Sequence, residues 1–114
     1  MAKLTDSKYV LKGKSGTEYS FGIYSLDTSF KEVGGVYIFT KRVKNENKYS
    51  HTNIYIGKTD DLSTRFNNHH KKNCISQNKA NCICIKQVDL EKERTEIETD
   101  LLSGNSTPCN EINN

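Results

Sequence analysis

The chain has 114 residues, which suits one domain with a single small core and leaves little room for a second. Hydrophobic residues make up 33% of it and fall in short runs, a pattern that excludes a disordered chain. No run is long enough for a membrane span or a signal-peptide core, so we expect a soluble, cytoplasmic protein.

The first predicted element is a β-hairpin at residues 8–25. An apolar run at 9–11 is followed by a glycine-containing turn and then by apolar residues at the two-residue period of a strand: Tyr19, Phe21 and Ile23. We expect this hairpin to add an edge or a lid to a core at residues 34–110.

Two further strands are predicted, and each carries a tyrosine. The run at 34–40 opens on two glycines and contains Tyr37, and the run at 53–58 contains Tyr55. A polar loop rich in lysine, asparagine and glutamate separates them. If the two strands pair, their phenols lie side by side.

A helix is predicted over 61–72, after residues whose side-chain oxygens are suited to starting one. Leu62 and Phe66 recur at helical spacing and give it a core face. Arg65 and His69 are four residues apart and share another face. The arginine should therefore face the two tyrosines from this helix.

The remaining elements are a loop at 73–79, a strand at 83–88 and a second helix at 90–102 that Gly104 closes. The order after the hairpin is β, β, α, β, α. It predicts an α+β fold, with a small three-stranded, mostly antiparallel sheet flanked by helices and the N-terminal β-hairpin added. We expect residues 1–114 to form one domain.

Four cysteines are present, and their spacings match neither a CxxC pair nor a zinc-ribbon pattern. Two disulfides or a zinc site are conceivable, but we expect reduced thiols. Cys82 and Cys84 alternate with isoleucine, so one face of a strand should carry sulfur and the other aliphatic groups. We interpret this alternation as packing.

A net charge of +3 is too small to identify a nucleic-acid binder, but the basic residues are clustered. They gather around the two tyrosine strands, where a polyanion would be held: Lys41, Arg42, Lys44 and Lys58. A solvated loop and helix face is the alternative interpretation. A phenol and a fixed guanidinium in one place suit chemistry on a phosphate.

The spacing of these residues resembles that of the GIY-YIG nuclease superfamily, which includes phage homing endonucleases. Gly35-Val36-Tyr37 corresponds to the first signature, with valine for isoleucine, and Tyr55-Ile56-Gly57 is the second. The further matching positions are Arg65, eight residues after the second signature's glycine, His69, Glu98 on the late helix, and Asn110, twelve residues later. Gly22-Ile23-Tyr24 spells the first signature but ends the hairpin, so we set it aside.

This resemblance implies a metal-dependent endonuclease that hydrolyses phosphodiester bonds in DNA by a one-metal mechanism. It implies that Glu98 is the sole protein ligand of one Mg²⁺ or Mn²⁺ ion and that Tyr37 is the general base. Because an ordinary phenol is protonated at neutral pH, we expect Lys58 or Arg65, with the metal, to lower the pKa of Tyr37.

The other matching residues have implied roles at the same site. Arg65 would engage two phosphate oxygens, and Tyr55 and His69 would orient the water or the phosphate. His70 is equally available for this role, and we prefer His69 only because of its offset from Arg65. Asn110 would bridge the chain end to the site through its amide.

Two alternatives remain open: a non-catalytic nucleic-acid-binding module on the same scaffold, and an unrelated interaction domain whose tyrosines are core residues. We expect no separate DNA-recognition domain after Asn110. Target choice would then come from the hairpin, the basic loop at 41–48, a second copy of the chain in a homodimer, or a partner protein. The sequence does not distinguish DNA from RNA.

Overall fold

The computed structural model of the chain describes residues 8–66 and 69–110. Its elements in chain order are β1 (Tyr9–Lys12), β2 (Glu18–Ser25), β3 (Gly35–Asn45), β4 (Lys48–Thr59), α1 (Lys72–Gln77), β5 (Cys82–Gln87) and α2 (Glu91–Gly104). The predicted α+β class is confirmed. Within the described part of the chain, neither helix is long and apolar enough to cross a bilayer.

The sheet has five strands in the order β1-β2-β5-β3-β4, and every pairing is antiparallel. The prediction of three strands was therefore wrong, because the hairpin β1–β2 continues the sheet through β5. Phe21 and Ile23 of β2 are buried in the same cluster as Ile38 of β3. An apolar strand face of this kind is buried most simply by extending the sheet. The predicted edge position is correct for β1.

Two apolar clusters lie on the two faces of the sheet. One contains Cys82 and Cys84 and packs under α2 through Leu101, and the other contains Ile83 with the tyrosines of β3 and β4. The predicted alternation of sulfur and aliphatic groups along β5 is confirmed. The two thiols are buried and serve as small apolar side chains.

The helix predicted over 61–72 was wrong. Residues 62–66 form turns, and residues 67 and 68 lie outside the described part. α1 begins only at Lys72, the last residue of the predicted helix, and continues through most of the loop predicted at 73–79. The carboxylate of Asp61 accepts hydrogen bonds from the backbone and the hydroxyl of Ser63 at 2.9 and 2.5 Å. Such local bonds satisfy the backbone outside a helix, and they end the helical pattern here.

The basic loop predicted after residue 40 is instead a long hairpin. β3 continues to Asn45 and β4 begins at Lys48, with a tight turn in which Glu46 has a φ of 58°. Pairing with β5 ends at Thr40. Residues 41–52 therefore form a two-stranded extension beyond the rest of the sheet, which we call the arm.

Cation–π contacts between its two strands stabilise the arm. The guanidinium of Arg42 lies 3.6 Å from the centre of the Tyr49 ring, and the ammonium of Lys44 lies 5.9 Å from it. Cation–π contacts of this kind contribute about 0.5–1 kcal/mol at exposed sites. The sequence pattern of the arm looked like a loop because few of its residues are buried.

The expectation of four reduced cysteines was wrong for one pair. Cys74 of α1 and Cys109 form a disulfide with their Cα atoms 5.8 Å apart. The backbone N–H of Cys109 donates to the carbonyl of Ile54 at 3.0 Å, which holds the chain end along β4 and beside α1. Proximity of this kind depends on the fold and cannot be read from cysteine spacing.

Loss of this disulfide is expected to lower the free energy of unfolding by about 3–4 kcal/mol, because it closes a loop in the unfolded chain. The bridged residues are 35 positions apart. Reductant should lower the melting temperature of the wild type but leave that of Cys74→Ser unchanged. Equal sensitivity of the two proteins to reductant would contradict the expectation.

Candidate active site

The hydroxyl of Tyr37 is the centre of the site. Tyr37 lies on β3 with 0% of its surface exposed. Its oxygen accepts a hydrogen bond from Nε of Arg65 at 3.0 Å and lies 2.7 Å from Nε2 of His69. The predicted convergence of these three residues is therefore present, although a turn rather than a helix carries the arginine.

The tautomer of His69 follows from its second hydrogen bond. The backbone N–H of Lys71 donates to Nδ1 of His69 at 3.0 Å, so this nitrogen carries no proton. In the neutral ring the proton then lies on Nε2, which donates to the hydroxyl oxygen of Tyr37. That oxygen thus accepts two hydrogen bonds, an arrangement that favours the phenolate.

The charge state of His69 agrees with this tautomer. Burial, together with the positive charge of Arg65 and the neighbouring His70, lowers the pKa of its imidazole from 6.5 to about 4. His69 is therefore neutral at pH 7.

A pH-dependent stability follows from the lowered pKa of His69. Between pH 4 and 6.5 the unfolded chain binds a proton that the folded chain excludes. The free energy of unfolding is therefore not reduced by His69 above pH 6.5. It decreases as the pH falls from 6.5 toward 4, by at most about 1.4 kcal/mol per pH unit. Urea unfolding at several pH values should show a smaller loss for His69→Gln. Parallel curves for the two proteins would contradict the assignment.

Tyr55 and His70 extend the site. The ring centres of Tyr37 and Tyr55 are 6.1 Å apart, as expected for tyrosines on paired strands. Nη2 of Arg65 donates to Nδ1 of His70 at 3.2 Å, and Nε2 of His70 makes a long contact of 3.4 Å with the Tyr55 hydroxyl. His70 therefore joins Arg65 to the second phenol, a role that the preference for His69 overlooked.

The second signature glycine makes room for both phenols. A Cβ atom at Gly57 would lie 2.5 Å from the hydroxyl oxygen of Tyr37 and 2.8 Å from a ring carbon of Tyr55. Neither ring could stay in place beside a larger residue. Gly57 is thus required by the close approach of the two side chains.

Asn110 acts on the backbone of β4. Its Oδ1 accepts from the N–H of Ile56 at 2.7 Å and from the hydroxyl of Thr107 at 2.5 Å, while its Nδ2 donates to the carbonyl of Ile56 at 2.9 Å. The expected bridge between chain end and site is present. These bonds use both ends of the amide, so Asn110 positions the strand that carries Tyr55.

Glu98 on α2 is half-buried and interacts electrostatically with the other site residues. Burial raises the pKa of its carboxyl, while Lys58 and Arg65 act to lower it. Burial raises the pKa of the Tyr37 phenol, and Tyr55 and Glu98 raise it further. Arg65 lowers this pKa, as expected, but does not offset the burial. The expected contribution of a metal ion stays a prediction.

Glu98 is the predicted metal ligand of this site. Among residues 8–66 and 69–110, no group of three or more His, Cys, Asp or Glu side chains could hold a metal ion. A single carboxylate could hold a hard divalent cation that keeps most of its water ligands or binds phosphate oxygens, as Mg²⁺ commonly does. The role of Glu98 as the sole protein ligand stays a prediction.

A cleft of about 550 Å³ lies beside Arg65. It is lined by Lys58, Thr59, Asp60, Thr64, Arg65, Glu91 and Arg94. Lys58, predicted to bind phosphate, is therefore next to the site, whereas Lys41, Arg42 and Lys44 lie on the arm.

Tyr24, set aside in the sequence, packs against the same apolar cluster as Tyr37 but forms none of the hydrogen bonds described at the Tyr37 hydroxyl. It lies on β2, which β5 separates from β3, and its ring packs edge-on against Phe30 with centres 5.2 Å apart. Its glycine-isoleucine-tyrosine spelling therefore has no counterpart in the geometry of the site.

Comparison with known proteins gives one finding that bears on this site. The model of a family described as the GIY-YIG catalytic domain matches residues 33–113, which include every residue assembled around Tyr37. Searches of curated proteins and of solved structures give no match.

Proposed function

Because the chain belongs to the GIY-YIG family of nucleases, we propose that it is a metal-dependent endonuclease that hydrolyses phosphodiester bonds in DNA by a one-metal mechanism. The observation that carries this proposal is the hydroxyl oxygen of Tyr37, which accepts hydrogen bonds from both Arg65 and His69. A phenol held in this way is directed to give up its proton.

Tyr37 acts as the general base. Two donors on its oxygen stabilise the phenolate, which takes a proton from the attacking water and becomes the neutral phenol. Burial and the charge of Glu98 oppose formation of the phenolate. A Mg²⁺ or Mn²⁺ ion on Glu98 would offset that negative charge, hold water and phosphate oxygens, and withdraw charge from the phosphoryl group.

Arg65 binds the phosphate. Its Nε and one N–H of Nη2 are engaged by Tyr37 and His70, and the residue lines the cleft. A guanidinium fixed along one edge presents the other edge to two phosphate oxygens, which an ammonium cannot match. Tyr55 and His70 orient this edge, and His69 holds the hydroxyl of the base.

The test is a cleavage assay on plasmid and branched DNA with Mg²⁺ or Mn²⁺. We expect cleavage by the wild type that chelator abolishes and that Glu98→Ala lacks. Equal products from wild type and Glu98→Ala would reveal a contaminating nuclease and would remove the support for this function. Parallel reactions on RNA of the same sequence determine whether DNA or RNA is the substrate.

A non-catalytic nucleic-acid-binding module is the second candidate. It is favoured by the raised pKa of Tyr37, which leaves the phenol protonated at neutral pH. Binding that weakens steeply with salt, together with no cleavage under any metal condition, would support it.

A one-metal site cuts one strand at a time, so cleavage of both strands would require a second copy of the chain or a second encounter.

The arm supports a duplex substrate. Tyr37 and Asn45 are eight residues apart on β3, which places the tip of the arm about 27 Å from the site at about 3.4 Å per residue. This equals about eight nucleotides of B-form DNA. A two-stranded β-ribbon fits the major groove, and Lys41, Arg42 and Lys44 would contact phosphates beside it.

Removing two arm charges should weaken duplex binding with only a small effect on stability. Lys41 and Lys44 are exposed, so Lys41→Gln with Lys44→Gln should lower the melting temperature only slightly, through loss of the Lys44 contact with Tyr49. The slope of log K against log salt should fall by about 1.8 if each lysine contacts one phosphate. The matched control is Lys12→Gln with Lys14→Gln, at the opposite edge of the sheet. Equal slopes for the two double variants would show that these arm lysines do not contact the DNA phosphates.

A further inference from the structure

The cleft beside Arg65 contains a second arginine that the proposed chemistry does not use. Arg94 lies on the first turns of α2 and lines the cleft together with Lys58 and Arg65. The cleft volume of about 550 Å³ is within the usual range of ligand sites. Three cations thus line one concave surface that begins at the site.

The guanidinium of Arg94 is buried without an acidic partner. Its side chain is 7% exposed, and its Nη1 donates to the backbone carbonyls of Val88 and Asp89 at 2.8 and 3.1 Å. No carboxylate among the described residues pairs with it. A buried charge is costly unless it is paired, so the rest of this guanidinium has unused capacity for an anion.

The surroundings of Arg94 fix its position. A Cβ atom at Gly34 would overlap the guanidinium, and the carbonyl of Gly34 accepts from the N–H of Val88 at 3.0 Å. Gly34 directly precedes β3, the strand of Tyr37. The guanidinium is therefore held beside the strand that carries the proposed general base, and Arg94 lines the cleft from there.

We propose that Arg94, with Lys58, forms a binding subsite for a backbone phosphate that neighbours the phosphate held by Arg65. The proposal rests on the proposed function for the identity of the polymer and adds its second contact. A guanidinium anchored at one nitrogen binds a phosphodiester through charge-assisted hydrogen bonds from the others. Glu91, exposed on the same cleft, opposes the anion and limits its affinity.

The first experiment measures binding in chelator, where cleavage does not occur. A labelled duplex is titrated between about 50 and 200 mM salt against wild type, Arg94→Gln and the control Lys92→Gln, an exposed lysine of the same helix. Arg94→Gln should weaken binding about tenfold and reduce the salt slope by about 0.9, the value for one phosphate contact. Lys92→Gln should match the wild type.

The second experiment locates the phosphate. Neutral methylphosphonates replace single phosphates on either side of the cleavage position, and one of them should weaken binding to the wild type but not to Arg94→Gln. A folded Arg94→Gln protein with wild-type affinity and slope overturns the proposal. If Arg94→Gln does not fold, Glu91→Gln replaces it and should bind severalfold more tightly; unchanged binding then overturns the proposal.

The two proposals fail separately. An Arg94-dependent phosphate contact in a protein that never cleaves DNA would reject the nuclease assignment and keep the subsite. Normal metal-dependent cleavage with binding that is insensitive to Arg94 would do the opposite.

Discussion

Glu98→Gln should lose DNA cleavage by about 10³-fold while keeping the fold and the affinity for DNA. Glutamine preserves the shape of the side chain but removes the carboxylate that we propose as the metal ligand. It also removes a half-buried charge whose burial raises the pKa of the acid, so the stability of the variant should not fall. The effect should therefore lie in the chemical step.

Manganese binding separates this explanation from a structural one. The wild type should bind Mn²⁺ in a titration followed by electron paramagnetic resonance, and Glu98→Gln should bind it weakly. Glu96→Gln is the matched control, since Glu96 is an exposed carboxylate of the same helix. Cleavage by Glu98→Gln at the wild-type rate would reject Glu98 as the metal ligand.

Tyr37→Phe should reduce the cleavage rate by about 10²–10⁴-fold, the usual contribution of a general base. The ring remains and continues to pack against Phe39 and Phe66, whereas the oxygen that accepts from Arg65 and His69 is lost. Two donors then lack their acceptor, and the free energy of unfolding should fall by about 1–3 kcal/mol.

The pH profile distinguishes a lost base from a displaced Arg65. In the wild type, the rate should rise with pH, because the pKa of Tyr37 is raised and the phenolate fraction grows with pH. That rise should be absent from the residual activity of Tyr37→Phe. Tyr24→Phe, the matched control, should keep the wild-type profile, and the same rise in Tyr37→Phe would assign the base to another group.

The site was more predictable from the sequence than the elements that carry it. The offsets predicted that Tyr37, Arg65 and His69 would meet, and they do. The helix expected to carry the last two is absent, because hydrogen bonds around Asp61 replace it with turns. The positions of functional side chains can thus be inferred correctly from a wrong local structure.

Other features depended on contacts between distant parts of the chain. Neither the disulfide of Cys74 with Cys109 nor the link from Arg65 to His70 has a signal in residue spacing, since each requires the fold to be formed. The strands of the arm lacked the buried alternation that marks a strand. The raised pKa of Tyr37 was missed because burial of its hydroxyl exceeds what the nearby cation supplies.

The hydrogen bonds of Cys109 and Asn110 to β4 affect the ability of this strand to pair with another chain. β4 is an outer strand of the sheet, and an unpaired outer strand is a template on which another chain can add. Cys109 occupies the carbonyl of Ile54, and Asn110 occupies both backbone groups of Ile56. The same contacts that position the second signature thus disfavour intermolecular strand addition at the part of this edge beside Tyr55.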